Sequence, residues 1–247
     1  MPPTGVLDGR LDLPPGFRLI ALREAGDAFA HAKTIAAQEG AGTVVHVGRF
    51  DLAEFALVLE PDEPLRTARR ALYAGSVALS DTLAAFAPPE RPVELVWPDS
   101  VRVDGGLVGG VRLGWPQGTA ETAVPDWLVF GVMIRTVAIG EGEPGLRPLS
   151  AALDDEGFDD VGAGRLVESF TRHLMVIVDA WKEAGFGVVA RSYLERLTRE
   201  PGVRRDIDEN GDLLIRRAAK SEVERRALLP ELARVAWFDP ARGGPRA

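Results

Sequence analysis

The stretch VELVWPDSVRVDGGLVGGVRLGWP, residues 93 to 116, combines short apolar runs with two pairs of glycines. Trp97, Pro98 and Asp99 end the first run, and Asp104-Gly105-Gly106 separates the next two runs as a hairpin turn does. Gly109-Gly110 would weaken the interior of a strand unless the pair forms a bulge or lets another group approach the backbone closely. The stretch therefore predicts consecutive antiparallel strands, with either a twisted, bulged hairpin or a ligand surface at the glycines.

The flanking sequence predicts helices on both sides of these strands. Apolar residues recur at helical spacing in three segments, and Gly or Pro bounds each segment. β-branched and apolar runs predict further strands, two of which enclose a short polar loop carrying Arg49 and Asp51. We expect an α+β fold, with a mixed, mostly antiparallel sheet and packed helices. The predicted helices are 26–40, 65–86, 165–184 and a shorter one over 188–197, and the predicted strands outside the opening stretch are 42–50, 55–61 and 126–139.

Two domains are expected. Residues 1–16 are rich in Pro and Gly and predict an extended lead-in, and a main domain should then cover residues 17–200. Pro201-Gly202 resembles a boundary, after which the composition becomes more charged. Asn210-Gly211 lies between two short runs and is typical of a hairpin turn. Residues 202–247 are thus predicted to be a small β-containing module, with one more helix, interrupted at Pro230, in residues 222–237.

Composition excludes several functions. The net charge of -8 and a pI near 5.1 disfavour nucleic acid as a partner. No apolar run reaches the roughly 20 residues that span a bilayer, so we expect no membrane partner and a cytoplasmic location. The chain has no cysteine, which rules out disulfides, thiolate metal sites and a cysteine nucleophile.

No metal site is expected. Asp206, Asp208 and Asn210 begin like a calcium loop, but Arg217 stands where a bidentate glutamate is required. The three histidines lie on separate elements, without the spacing of a metal motif.

The opening stretch resembles the signature of biotin protein ligases. In that family a Trp-Pro strand end precedes a hairpin and a strand with a Lys-x-x-Gly-Ile pattern; Trp97, Pro98, Gly110 and Val111 match it. The order of the surrounding elements agrees over residues 17 to 197. With the C-terminal module, the chain looks like the bacterial biotin/lipoate A/B protein ligase-like group that has an extra C-terminal domain of unknown function.

The resemblance implies binding of a small carboxylate or a nucleotide, with ATP and biotin or lipoate as cofactor and ligand. In such ligases the carboxylate attacks ATP to form an acyl-adenylate, and a lysine of a biotinyl or lipoyl carrier domain then displaces AMP. A ligand cleft would be walled by residues from four segments of the chain. These are Arg49, Trp97, Pro98, Asp99, Gly109, Gly110 and Arg112, with Gly131 at the floor.

Two hypotheses remain open from the sequence. Leu107 stands where the ligases have a lysine, and Lys33, Lys182 and Lys220 all lie outside the opening stretch. In the first hypothesis the chain is an acyl-adenylate-forming ligase or acyltransferase whose cationic role has moved to an arginine, which binds phosphate bidentately. In the second it is a catalytically impaired ligase-fold protein that binds a small carboxylate, a nucleotide or a carrier domain.

Overall fold

A computed structural model describes residues 11–23, 26–138, 149–159, 161–218 and 222–246. Residues 1–10 of the predicted lead-in are therefore outside the described residues. The strands are β1 (Arg18–Leu22), β2 (Thr43–Val47), β3 (Leu52–Leu59), β4 (Val93–Val96), β5 (Ser100–Val103), β6 (Gly106–Gly114), β7 (Leu128–Arg135), β8 (Val203–Ile207), β9 (Leu213–Arg217), β10 (Val223–Arg226), β11 (Phe238–Asp239) and β12 (Gly244–Pro245). The helices are α1 (Ala28–Glu39), α2 (Leu65–Ala68), α3 (Ala71–Ala84), α4 (Ala163–Ala184), α5 (Phe186–Arg196) and α6 (Leu228–Leu232).

A seven-stranded sheet in the order β1-β2-β3-β7-β6-β5-β4 forms the centre of the protein. β1 and β2 are parallel, and every other neighbouring pair in this sheet is antiparallel. Helices pack on both faces, with α1 on one and α3, α4 and α5 on the other. The predicted α+β class with a mostly antiparallel sheet is confirmed.

The two faces of the sheet have separate apolar cores because side chains alternate along each strand. On the α1 face, Ala28, Ala32 and Ala36 pack against Val45 and Val58. The core on the opposite face is larger, since three helices cover it. The face of the sheet that α1 covers is called the α1 face.

The helix predicted over 65–86 is two helices, so the expectation of one continuous helix was wrong. α2 ends at Ala68 and α3 begins at Ala71. At the break the amides of Leu72 and Tyr73 bond to the carbonyls of Arg69 and Arg70, three residues back. Such tight turns interrupt the regular helical bonding, and the apolar periodicity continues across the break, which is why the pattern conceals it.

The opening stretch forms β4, β5 and β6 as expected, with Asp104 and Gly105 in the tight turn at positive φ. The register shifts between Val101 and Arg102 opposite the Gly109 region, as at a β-bulge. A side chain at Gly109 would place its Cβ 2.0 Å from the carbonyl oxygen of Met133 on β7. Gly109 is thus required for the close approach of two strands.

The C-terminal residues form a three-stranded sheet, β10-β9-β8, and the short β11-β12 pair. Gly211, at φ 85°, lies in the predicted turn between β8 and β9. The predicted interrupted helix over 222–237 was wrong: Val223–Arg226 is a strand that pairs with β9, and only Leu228–Leu232 is helical. Pairing with β9 satisfies the backbone of 223–226, and Pro230 lies in the first turn of α6, where a missing amide proton costs little.

No helix in the part of the chain that the structure describes is both long and apolar enough to span a bilayer.

Candidate functional site

The α1 face of the sheet brings glycines and charged side chains together in two adjacent rows. In one row Arg112 of β6 pairs with Gly131 of β7, and Gly131 pairs with Ala56 of β3. In the next row Gly110 pairs with Met133, which pairs with Glu54. Because side chains two residues apart share a face, both rows face α1.

Arg112 lies between two aromatic rings on this face. Its guanidinium carbon is 4.6 Å from the centroid of Phe29 on α1 and 4.9 Å from that of Phe238 near the C-terminus. Its Nη2 donates to Oδ1 of Asp27 at 3.2 Å. The Arg112 side chain is only 12% exposed, so this cation is shielded from water. Among the described residues its one carboxylate partner is Asp27, which leaves donors on the guanidinium for a ligand.

Glu54 and the start of α1 extend this charged cluster. Glu54 is buried, and its Oε1 accepts from the amide of Ala28 at 2.8 Å, while Asp27 caps the helix by accepting from the amide of Ala30. Burial raises the pKa of Glu54, and the nearby Asp27 adds to the rise, whereas Arg112 opposes it. The helix-start amides and the guanidinium are thus already bonded to carboxylates of the chain, which an anionic ligand would have to replace or share.

The C-terminal Trp237 covers Gly110. Its indole Nε1 donates to the carbonyl of Val111 at 3.2 Å, and the side chain is 2% exposed. A Cβ on Gly110 would lie 2.5 Å from that nitrogen. Trp237 shares a small apolar cluster with Leu52 and Met133, against which Leu107, Val235 and Phe238 pack.

Asp99 is buried at the end of the Trp-Pro-Asp corner, with 5% of its surface exposed. Its Oδ1 accepts from the Ser100 hydroxyl at 3.3 Å. Burial raises the pKa of Asp99 to about 7, although hydrogen bonds from Ser100 and Trp237 lower it and the charge of Glu231 adds to the rise. Asp99 therefore lies next to the indole that covers Gly110, and it can exchange a proton near neutral pH.

Trp97 and Pro98 face the helices on the other side. The indole nitrogen of Trp97 donates to the hydroxyl of Tyr73 on α3 at 3.0 Å. The carbonyl of Pro98 accepts from the hydroxyl of Tyr193 on α5, and the Trp97-Pro98 bond is cis. These contacts join the corner to α3 and α5, so the two residues support the site from behind in this arrangement.

Arg49 lies at the edge of the α1 face. It makes two bonds to Asp51, Nε to Oδ1 at 3.0 Å and Nη2 to Oδ2 at 2.7 Å. The pKa of Arg49 is raised, mainly by this bond, with a contribution from the charge of Glu54. Of the predicted wall, the structure brings Arg112, Gly110, Gly131 and Asp99 together, and it places Arg49 in a local ion pair beside them.

Several residues of this face were not among the site residues predicted from the sequence. Phe29 covers Gly131, where an added Cβ would meet its ring at 2.6 Å, and Lys33 lies beside Gly114. Lys33 is distant from the opening stretch in sequence, but α1 brings it next to the end of β6 in the folded protein. Asp27 had a detectable signal as a helix N-cap, whereas Glu54 and Trp237 had none, since only the pairing of β3 and the path of the C-terminus bring them here.

Within the described ranges, no group of three or more His, Asp or Glu side chains is arranged to hold a metal ion.

Comparisons with known proteins bear on the family and the fold of this chain. A biotin-[acetyl-CoA-carboxylase] ligase of Paracoccus denitrificans is 28% identical over 191 residues, covering 68% of this chain and 75% of the relative. A solved biotin protein ligase-like protein of unknown function from Silicibacter sp. TM1040 has a TM-score of 0.77 and 28% identity, covering 90% of this chain and 98% of its own.

A biotin protein ligase from Aquifex aeolicus, solved in complex with biotin and ATP, has a TM-score of 0.61 at 17% identity, covering 85% of this chain and 98% of its own. At this identity the likeness concerns the fold alone. The model of the biotin/lipoate A/B protein ligase family matches residues 13–195, most of the chain. The resemblance seen in the opening stretch is confirmed, and the chain belongs to the biotin/lipoate A/B protein ligase family.

Proposed function

We propose that this chain binds a small carboxylic acid of the biotin or lipoate type on its α1 face and activates it with ATP as an acyl-adenylate. The lysine of a carrier domain would then displace AMP, and the reaction would take place in the cytoplasm. Family membership supports the reaction class. The wall of the site would comprise Arg112, Gly110, Gly131 and Asp99, with Gly109 supporting the strand, Trp97 and Pro98 behind it, and Arg49 at its edge.

The observation that carries the proposal is the environment of Arg112. A guanidinium held between two rings is positioned for a planar carboxylate or a phosphate, which it binds bidentately. Asp27 now provides one carboxylate partner at 3.2 Å. An entering anion would replace or share this partner, and the aromatic rings would exclude water and strengthen the contact.

A second candidate is binding without turnover, and Leu107 favours it. At the position of the family lysine, this chain has an apolar side chain packed against Leu52, Met133 and Trp237. Loss of one preorganised charge contact typically costs about 3 kcal/mol of transition-state stabilisation. The chain would then be a ligase-fold protein that holds a carboxylate, a nucleotide or a carrier domain.

One experiment separates these candidates. The purified protein is incubated with ATP and biotin, lipoate or octanoate, and mass spectrometry detects AMP and acyl-adenylate, while calorimetry measures binding. Adenylate formation supports the ligase; binding without AMP supports the second candidate. No binding of any of these acids, ATP or AMP contradicts both.

Arginine variants test the assignment of the cation. Arg112→Ala should weaken binding by about 1.5 to 3 kcal/mol, the range for a lost charge-assisted hydrogen bond. Arg102→Ala is the matched control, because the described contacts of the Arg102 side chain include only a bond to the turn carbonyl of Gly105.

Arg49→Ala should weaken ligand binding by a similar amount if Arg49 leaves Asp51 to contact the ligand. If the variant binds the ligand as tightly as the wild type, Arg49 serves only the ion pair with Asp51.

A further inference from the structure

The C-terminal strap, defined here as residues 235–246, lies against the α1 face at β6 and β7. Trp237 rests on Gly110 and Phe238 on the guanidinium of Arg112. β12 contacts both β6 and β7. The strap therefore covers two of the residues to which the ligand site is assigned.

Hydrogen bonds attach the C-terminal end of the strap to β7 and join the two ends of the strap to each other. Nη2 of Arg135, the last residue of β7, donates to the carbonyls of Pro245 at 2.7 Å and Arg246 at 3.1 Å. The amide of Arg246 donates to the carbonyl of Trp237 at 2.8 Å, and its Nε donates to that of Ala236 at 2.7 Å. These bonds fold the strap back on itself and hold the indole against β6.

Trp237 and a ligand cannot occupy the surface of Gly110 together. The position of a Cβ on Gly110 is 2.5 Å from the indole Nε1 and 2.6 Å from Cε2, well inside the separation of about 3.5 Å at which nonbonded atoms rest. The surface beneath the indole is mostly apolar, with Met133 and Leu107 beside it. It offers the indole N–H two hydrogen-bond acceptors, the carbonyl of Val111 and the carboxyl of Asp99. Without the indole, the same surface would accept a flat ring that has an N–H donor.

We infer that Trp237 determines ligand specificity in this site: it occupies the ring-binding part of the α1 face, and a ligand reaches Gly110 only when the indole leaves. The inference rests on the proposed function for the identity of the ligand. It predicts competition between the strap and any ring-bearing acid, whereas an acid held by Arg112 alone can bind without moving Trp237.

The full-length Trp237→Ala variant tests this competition. Calorimetry with biotin should show at least tenfold tighter binding than in the wild type, because the indole no longer has to be displaced. Octanoate, which has no ring, should gain less. Trp181→Ala is the matched control, since it removes an indole from α4 that packs against Phe186 on the opposite side of the protein. Its affinity for biotin should equal that of the wild type.

A second measurement does not depend on any carboxylic acid. Indole added to Trp237→Ala should raise its thermal unfolding temperature by refilling the slot, and it should leave wild type and Trp181→Ala unchanged. If Trp237→Ala fails to fold, Trp237→Phe replaces it in the biotin assay alone, because its own ring would fill the slot that indole needs. Phenylalanine keeps a ring but loses the N–H donor to Val111, so it should give a smaller gain in biotin affinity.

The outcomes separate the inference from the proposed function. If indole raises the unfolding temperature of Trp237→Ala while no variant binds any of the acids or nucleotides, that result would support the site beneath Trp237 and contradict the proposed function. Equal or weaker biotin affinity in Trp237→Ala would overturn the inference, as would the absence of rescue by indole, even where the wild type binds biotin.

Discussion

Gly110 shows how a single missing side chain shapes this protein. The absence of a Cβ lets the indole of Trp237 lie directly on β6 and lets the carbonyl of Asp99 approach the strand. The same absence would serve a bound ligand. The glycine pair of the opening stretch thus divides its roles, with Gly109 allowing close contact between strands and Gly110 allowing close contact with whatever lies on the α1 face.

Gly110→Ala should destabilise the protein by about 1 to 3 kcal/mol, the usual range for overpacking a tight core. The new methyl group would lie 2.3 Å from the carbonyl oxygen of Asp99 and 2.5 Å from the indole nitrogen of Trp237. Denaturant unfolding measures the change.

Gly187→Ala is the control for that measurement. Gly187 lies in α5, and beyond its chain neighbours and its own helix backbone the space around its Cβ position is open. Alanine is preferred to glycine in a helix by up to about 1 kcal/mol, so this variant should be as stable as the wild type or more so. If Gly110→Ala is as stable as the wild type, the strap moves away from the new methyl group with no loss in the free energy of unfolding.

Asp99 should make the protein less stable as pH rises towards neutrality. The folded carboxyl has a pKa of about 7, against an ordinary value of 3.8. Between these values the unfolded state binds fewer protons than the folded state, so the free energy of unfolding falls as pH increases. Each pKa unit corresponds to about 1.4 kcal/mol, and the loss should be complete somewhat above pH 7.

The Asp99→Asn variant isolates this effect, because Glu54 also has a raised pKa and contributes a slope of the same sign. Unfolding free energies of both proteins are measured from pH 4 to 8. As pH increases, the wild type should lose stability relative to the variant. A constant difference across that range would show that Asp99 does not retain its proton in the folded protein.

The break between α2 and α3 connects the main helices to the C-terminal sheet. Nε of Arg69 and Nη1 of Arg70 donate to the carbonyls of Asn210 and Glu209, in the turn between β8 and β9. The hydroxyl of Tyr73 donates to the carbonyl of Gly211 in the same turn. Side chains of the break and of the first turn of α3 therefore hold the hairpin through its backbone carbonyls.

Tyr73→Phe should cost about 1 to 3 kcal/mol of stability, because the carbonyl of Gly211 loses its donor and Trp97 loses its acceptor in a buried site. In a double-mutant cycle with Trp97→Phe, the two losses should not add, since the side chains share one hydrogen bond. Unfolding free energies of the four proteins provide the coupling. Strict additivity would mean that the bond between the two side chains contributes nothing.

The division of the chain into two domains, residues 17–200 and 202–247, remains a prediction. Thr198 to Gly202 are exposed, as a linker should be. Beyond them, however, Ile207, Leu213 and Leu228 belong to the same apolar core as α3 and α5. Trp237 and the strap also pack on the main sheet.

Limited proteolysis should therefore cut near residues 198–203 and leave the two pieces associated. Gel filtration of the nicked protein should show one peak of about the original size, because the shared apolar core remains buried. Two separate folded peaks would show that the C-terminal residues form an independent domain, and resistance at 198–203 would place the boundary elsewhere.

The sequence by itself determined the class of fold, the hairpin of residues 93–116 and the family. These features depend on local signals: alternating apolar residues, helical periodicity, turn glycines and a short motif. The break in the helix over 65–86 was missed because the apolar periodicity continues across it. The strand at Val223–Arg226 was missed because its backbone pairs with β9, which the local pattern does not show.

Only the tertiary structure decided which predicted site residues meet. Strand pairing placed Arg112, Gly131 and Glu54 on one face, and α1 added Asp27, Phe29 and Lys33. The path of the C-terminus brought Trp237 onto Gly110 across more than one hundred residues of sequence. A sequence pattern reports the period of each element, whereas the contents of a shared face follow from register and packing, which depend on the complete chain.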